Sequence, residues 1–232
     1  KGLKKFLTIE QKCAVLLQKA NGLKKLRKFR LKNKFIYLIS PNKIKNSSFY
    51  IELIKIFKLK KVAFFQLRLK KERIKEKIII AKKIRKLCKK YKVKFIINDD
   101  PFLAKKINSD GCHLGQKDMS ILKARKILKN HIIGITCHNS KKFVKTALKN
   151  KADYIALGSF FSSKTKKTKY KANIKILNWS KKTTNIPIVA IGGIKLENYK
   201  KLLLNKANFL AISGYVWNNK KYKPTEAISK LK

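Results

Sequence analysis

The chain has 232 residues, 44% of them hydrophobic, and its 61 Lys and Arg against 11 Asp and Glu give a formal charge of +50. That apolar fraction supports a packed core and argues against disorder, and no apolar run approaches the ~20 residues of a membrane span. The basic residues are nearly all Lys, spread along the chain and accompanied by abundant Ile and Asn, a pattern of compositional drift more than of a nucleic-acid surface, so nucleic acid is expected as a non-specific partner at most.

Residues 1–34 form a short basic extension that Ala14, Val15, Leu16 and Leu17 predict to be helical. Lys1 to Phe6 are basic, but no apolar core and small-residue cleavage site of a secretory signal follow. From residue 35 onward, strand-like runs alternate with amphipathic stretches. The predicted strands are Phe35–Ser40, Val62–Arg68, Lys94–Asn98, Gly111–Gly115, Ile132–Thr136, Tyr154–Phe160, Pro187–Ile191 and Phe209–Ile212. They are short and nearly continuously apolar, as parallel strands covered on both faces are. Helices are predicted over Ser48–Lys60, Lys71–Tyr91, after Pro101, and over Ser120–Lys129, Ser140–Lys149, Asn173–Lys182, Leu196–Asn205 and Thr225–Leu231. Eight strands, each followed by a helix, specify an α/β fold, a closed (βα)8 TIM barrel over 35–232 carrying the basic extension 1–34. A doubly wound sheet is the runner-up, but no GxGxxG turn supports it. Cys13, Cys88, Cys112 and Cys137 are too scattered for a zinc pattern or a disulfide framework, which suits reduced thiols in a cytoplasm.

In such a barrel the chemistry sits at the C-terminal ends of the strands. Gln66, Arg68 and Lys70 alternate along the end of the second strand, so they share a face that suits an anion. Asp99, Asp100, Asp110 and Asp118 cluster near the third and fourth strands of a chain poor in acids, which suggests a hard-cation site on Asp99 and Asp118. Asp100, before Pro101, reads as a helix cap. Ser163, Lys164, Thr165, Lys166 and the Gly192-Gly193 pair suit a phosphate, as does Ser213-Gly214 after the last strand. His113, His131 and His138 form no metal motif, and structural roles suit them better than a catalytic base.

Gln66-Leu67-Arg68-Leu69-Lys70, Asn98-Asp99-Asp100, His113 through Asp118, Gly134 through His138, Ser163 through Lys166 and Ile191 through Ile194 together resemble, in order and spacing, the motifs of the thiamine phosphate synthase family. The resemblance implies a transferase that joins 4-amino-5-hydroxymethyl-2-methylpyrimidine diphosphate to 4-methyl-5-(2-phosphoethyl)thiazole. It implies that Gln66–Lys70, Asn98, Thr136 and Lys166 contact the diphosphate substrate. Among these, Arg68, Lys70, Thr136 and Lys166 would be catalytic. Asp99 and Asp118 would hold Mg²⁺, and Ser163, Lys164, Thr165, Gly193, Ser213 and Gly214 the thiazole phosphate. Leu69 departs from the family's usual Glu, Thr136 from its usual Ser and Ser163 from its usual Thr. The competing readings are a thiazole tautomerase of the same fold, for which His138 is the best support, and a basic nucleic-acid-binding protein. A homo-oligomer fits the first reading as well as a monomer does.

Overall fold

The structure is a computed structural model that describes residues 34–44, 46–162 and 170–231. The helix expected in the basic extension therefore lies outside the described residues. The strands are β1 (Ile36–Ile39), β2 (Val62–Leu67), β3 (Lys94–Asn98), β4 (Gly111–Leu114), β5 (Ile132–His138), β6 (Tyr154–Gly158), β7 (Ile188–Ile191) and β8 (Phe209–Ile212). All neighbours pair in parallel, and β8 returns to β1, which closes the barrel. The helices are α1 (Ser48–Lys58), α2 (Ile74–Lys90), α3 (Pro101–Lys106), α4 (Ile121–Leu128), α5 (Lys141–Lys149), α6 (Ile174–Thr183), α7 (Tyr199–Leu204), α8 (Gly214–Trp217) and α9 (Pro224–Lys230).

The strand runs are nearly continuously apolar because each strand has two dry faces. One set, including Leu38, Phe65, Phe95, Cys112 and Ile155, packs outward against the helices. The alternate set, including Tyr37, Phe64, Ile96, Tyr154, Val189 and Phe209, fills the lumen. The barrel is thus plugged below its mouth, and substrate chemistry is confined to the upper end.

Serine and aspartate start several helices by accepting orphan N–H groups: Asp100 from Leu103 (2.9 Å), Ser120 from Lys123 (3.4 Å) and Ser140 from Phe143 (3.2 Å). At the opposite end of the barrel a second device repeats. The side chains of Asp110, Asp153 and Asn208, each just before an even-numbered strand, accept the N–H of Phe95, Ile133 and Ile188 at 2.8–2.9 Å. Asp110 also pairs with Lys94, and Asp153 with Arg125. This corrects the grouping of Asp110 with the cation-site acids, because it lies at the start of β4, on the face away from the mouth.

Candidate active site

The end of β2 splits between two environments. Gln66 shares the lumen-facing register of Phe64 and is only 2% exposed, yet its Nε2 has no partner among the described residues. A buried amide donor left open is costly unless a ligand accepts from it. Leu67 and Leu69 point the other way and are buried. With Lys70, Asn98 and Asp99 they help line a cavity of about 440 Å³ beside the mouth. The Arg68 backbone N–H donates to Ser40 Oγ (2.9 Å), and its guanidinium reaches Asn42 Oδ1 (3.5 Å), toward the loop after β1. Lys70 turns to the other side, its Nζ 3.3 Å from Asp99 Oδ2. The two cations expected on one strand face therefore flank the mouth.

Asp99 leaves β3 with φ 65°, and its N–H donates to His113 O (2.8 Å). That turn brings its carboxyl beside that of Asp118. Asp118 Oδ2 also accepts from the Gly115 N–H (2.6 Å). Burial first, and then Asp99, hold the Asp118 carboxyl above its ordinary range, while Lys70 pulls the other way. Two carboxylates in contact beside a lysine are a donor set that a small divalent cation would neutralise, and two protein carboxylates match what Mg²⁺ takes. Among the described residues no group of three or more His, Cys, Asp or Glu forms a richer metal site. Asp100, by contrast, is spent on capping α3.

Inside the mouth, His113 Nε2 meets Thr136 Oγ1 (2.9 Å) and its Nδ1 meets the Tyr154 hydroxyl (2.9 Å). Tyr154 in turn meets the Tyr37 hydroxyl (2.8 Å). Burial pushes the His113 imidazole down to about 4, with Asp118 opposing, so it is neutral at pH 7. Gly134 makes this possible: a Cβ there would lie 1.9 Å from the Tyr154 ring. His113 was expected to be structural. Its bond to Thr136 places it in the site, a role that histidine spacing alone does not reveal. His138 lies on the rim with φ 53°, its ring stacked on Tyr170 at 4.0 Å.

On the far side, Gly192 and Gly193 take φ 106° and 60°, and a Cβ on Gly193 would lie 2.3 Å from Ser162 O. Only glycine lets the chain after β7 pass under the loop after β6 in this way. Ser213 Oγ donates to Ser40 O (3.2 Å), tying β8 to β1, and Gly214 opens α8 beside it. Ser163, Lys164, Thr165 and Lys166 lie outside the described residues. The rest of the predicted set, Gln66 to Lys70, Asn98, Asp99, Asp118, Thr136, Gly193, Ser213 and Gly214, stands at the same end of the barrel.

The family model described as thiamine monophosphate synthase matches residues 36–216, which spans every one of these strands. The chain belongs to the thiamine monophosphate synthase family. It is 64% identical to the thiamine-phosphate synthase of Pelagibacter ubique over 89% of this chain and 100% of that protein. It is 39% identical to the thiamine-phosphate synthase of Nitrosomonas eutropha over 79% of this chain and 87% of the relative. The solved thiamine phosphate pyrophosphorylase of Pyrococcus furiosus superposes with a TM-score of 0.75 at 27% identity, covering 85% of this chain and 93% of the other. The tryptophan synthase α-subunit from the same organism superposes at 0.64 with 10% identity, a likeness of fold alone.

Proposed function

We propose that this chain joins 4-amino-5-hydroxymethyl-2-methylpyrimidine diphosphate to 4-methyl-5-(2-phosphoethyl)thiazole, releasing thiamine phosphate and pyrophosphate. The observation that carries this reading is the contact between the Asp99 and Asp118 carboxylates beside Lys70, at the mouth of a barrel of this family. Mg²⁺ bound there would supply Lewis-acid neutralisation of the departing diphosphate. Arg68 and Lys70 flank the same space and add fixed positive charge where the leaving group gains negative charge. Lys166 is proposed to complete that set. The C–O bond breaks with its electrons leaving on pyrophosphate, the aminopyrimidine carries the resulting positive charge at its exocyclic carbon, and the thiazole nitrogen closes the new C–N bond. No protein nucleophile is needed, so the protein's part is orientation and charge. Gln66, Asn98 and Thr136 are proposed to orient the pyrimidine. Gly193, Ser213, Gly214 and the Ser163–Thr165 segment are proposed to hold the thiazole phosphate.

The tautomerase reading gains no support from His138, whose ring is stacked on Tyr170. No helix among the described residues is long and apolar enough to cross a membrane. Cys88, Cys112 and Cys137 are unpaired and buried, which supports our proposal of a reducing, cytoplasmic setting. The test is purified protein with both substrates, in Mg²⁺ or in EDTA, reading thiamine phosphate. Product formation that EDTA abolishes is expected, and absence of product in saturating Mg²⁺ would remove the reading.

A further inference from the structure

Of the lumen cluster, Ile39, Phe64, Ile96, Ala156, Val189, Phe209 and Ala211 carry no polar side-chain atoms. Tyr37 and Tyr154 stand out because each brings a hydroxyl into that layer, and packing needs neither. The two hydroxyls meet each other (2.8 Å), and the upper one continues through His113 to Thr136 (2.9 Å at each step). The result is an unbranched file of hydrogen bonds that starts in dry core and ends on a residue assigned to substrate.

Such a file has only two consistent proton orders. Running upward, Tyr37 donates to Tyr154, Tyr154 donates to His113 Nδ1, and His113 donates from Nε2 to Thr136, whose own proton is left for the mouth. Running downward, Thr136 donates to Nε2, Nδ1 donates to Tyr154, Tyr154 donates to Tyr37, and the Tyr37 proton must find an acceptor below. Among the described residues Tyr37 has no polar partner except Tyr154, and it is buried. The downward order therefore strands a donor in apolar core, whereas the upward order leaves a donor where a ligand binds. A doubly protonated His113 fares no better, because Tyr154 would accept from both sides and strand its own proton.

We infer that Tyr154 is a positioning residue that, capped from below by Tyr37, holds His113 as the Nε2–H tautomer and so turns the Thr136 hydroxyl proton toward the substrate. The role of Thr136 as a donor rests on the proposed synthase reading; the proton order of the file does not. The substrate atom it serves is an acceptor, a pyrimidine ring nitrogen or a diphosphate oxygen. Polarisation along the file strengthens that last donor, and Gly134 fixes the Tyr154 ring in register with His113.

The test is ¹⁵N NMR of protein labelled at histidine, with the His113 signals assigned by their loss in His113→Gln. Wild type is expected to show a protonated Nε2 and an unprotonated, hydrogen-bonded Nδ1 from about pH 8 to pH 6. In Tyr154→Phe the Nδ1 resonance should move to that of a nitrogen without a hydrogen bond. The same variant should lose about tenfold in kcat with KM for the thiazole phosphate little changed, the scale of one misdirected hydrogen bond. Thr136→Ser should retain more activity than Thr136→Val. An Nδ1–H tautomer in wild type, a Tyr154→Phe Nδ1 resonance identical to wild type, or an unchanged kcat in that variant overturns the inference. If Tyr154→Phe does not fold, the wild-type spectrum alone decides the proton order. That spectrum can be read even if no thiamine phosphate is made, so failure of this inference and failure of the synthase reading are separate results.

Discussion

The Asp99 carboxyl lies 3.3 Å from Lys70 Nζ and beside that of Asp118, so an acidic pair is held together at the mouth of a strongly basic protein. The Asp118 carboxyl sits above its ordinary value of 3.8. A carboxyl raised in the folded state costs stability as pH rises past its unfolded value, because the folded state resists losing the proton. In metal-free protein that cost grows as pH rises from the ordinary carboxylate range toward neutrality. Asp118→Asn should therefore raise the melting temperature of the metal-free protein at pH 7, an effect that disappears at pH 3. Mg²⁺ should raise the melting temperature of wild type but not of the variant. Turnover in the variant should fall about 100-fold or more. Thermal melts with and without Mg²⁺ check the first two points, and an equal Mg²⁺ shift in both proteins would falsify the metal assignment.

His113 carries the opposite sign of linkage. Its imidazole is held at about 4, below its ordinary 6.5, so the unfolded chain binds a proton that the folded protein refuses. The stabilisation associated with neutral His113 is present above pH 6.5 and is lost as pH falls from there toward 4. The full swing is on the order of 3 kcal/mol. His113→Gln should flatten that part of the stability curve. Urea titrations at neutral pH and near pH 4.5 measure it, and an identical pH slope in the variant would count against a buried neutral His113.

Gly134 tests the packing beneath the relay. A Cβ at that position would sit 1.9 Å from the Tyr154 ring, with ring atoms on either side and no flexible end to move aside. Gly134→Ala should destabilise the barrel by about 3 kcal/mol, the upper range for overpacking a core. It should also disturb Thr136, two residues along the same strand face, so activity should fall even at temperatures where the protein remains folded. Denaturant melts and an assay well below the transition separate the two effects.

The strands were legible because a barrel strand is dry on both faces, so β3 and β8 match their predicted runs Lys94–Asn98 and Phe209–Ile212 end to end. The seventh helix was predicted from Leu196 but begins at Tyr199. Asn198 closes a turn instead, its side chain accepting from Lys195 N (2.9 Å) and donating to Gly193 O (3.0 Å). The four-residue α8 gave no periodic signal at all. In the site, Asp99 and Asp118 were legible as scarce acids near strand ends. Asp110 was not separable from them, because an acid just before a strand and one just after a strand look alike in sequence. His113 and Tyr154 meet across β4, β5 and β6, so their partnership exists only once the barrel is closed. A tyrosine in an apolar run reads as core, which Tyr154 also is.

The formal charge of +50 leads to a prediction about partners. If the lysines reflect drift, binding to duplex DNA should show no sequence preference and should weaken steeply between about 50 and 200 mM salt. Filter binding with unrelated duplexes across that range tests this, and sequence-selective binding that persists at the higher salt would favour a nucleic-acid role.

Lys70 separates metal binding from turnover, because it acts on the two in opposite directions. Its ammonium lies 3.3 Å from Asp99 Oδ2 and also opposes the raised Asp118 carboxyl, so without substrate it occupies the negative field that a divalent cation would use. Replacing it with Met keeps most of the side chain's length and removes the charge. In the free protein the acidic pair then loses a competing cation, and Mg²⁺ should bind a few-fold more tightly, the scale of one exposed ion pair at up to about 1 kcal/mol. During the reaction the departing diphosphate loses a positive group at the moment its own charge grows, so kcat should fall by about 100-fold. A purely structural lysine would leave both quantities together or change neither. Isothermal titration with Mg²⁺, set beside steady-state kinetics for Lys70→Met, measures the two effects independently. Weaker Mg²⁺ binding in the variant would show that Lys70 supports the acidic pair and does not compete for it.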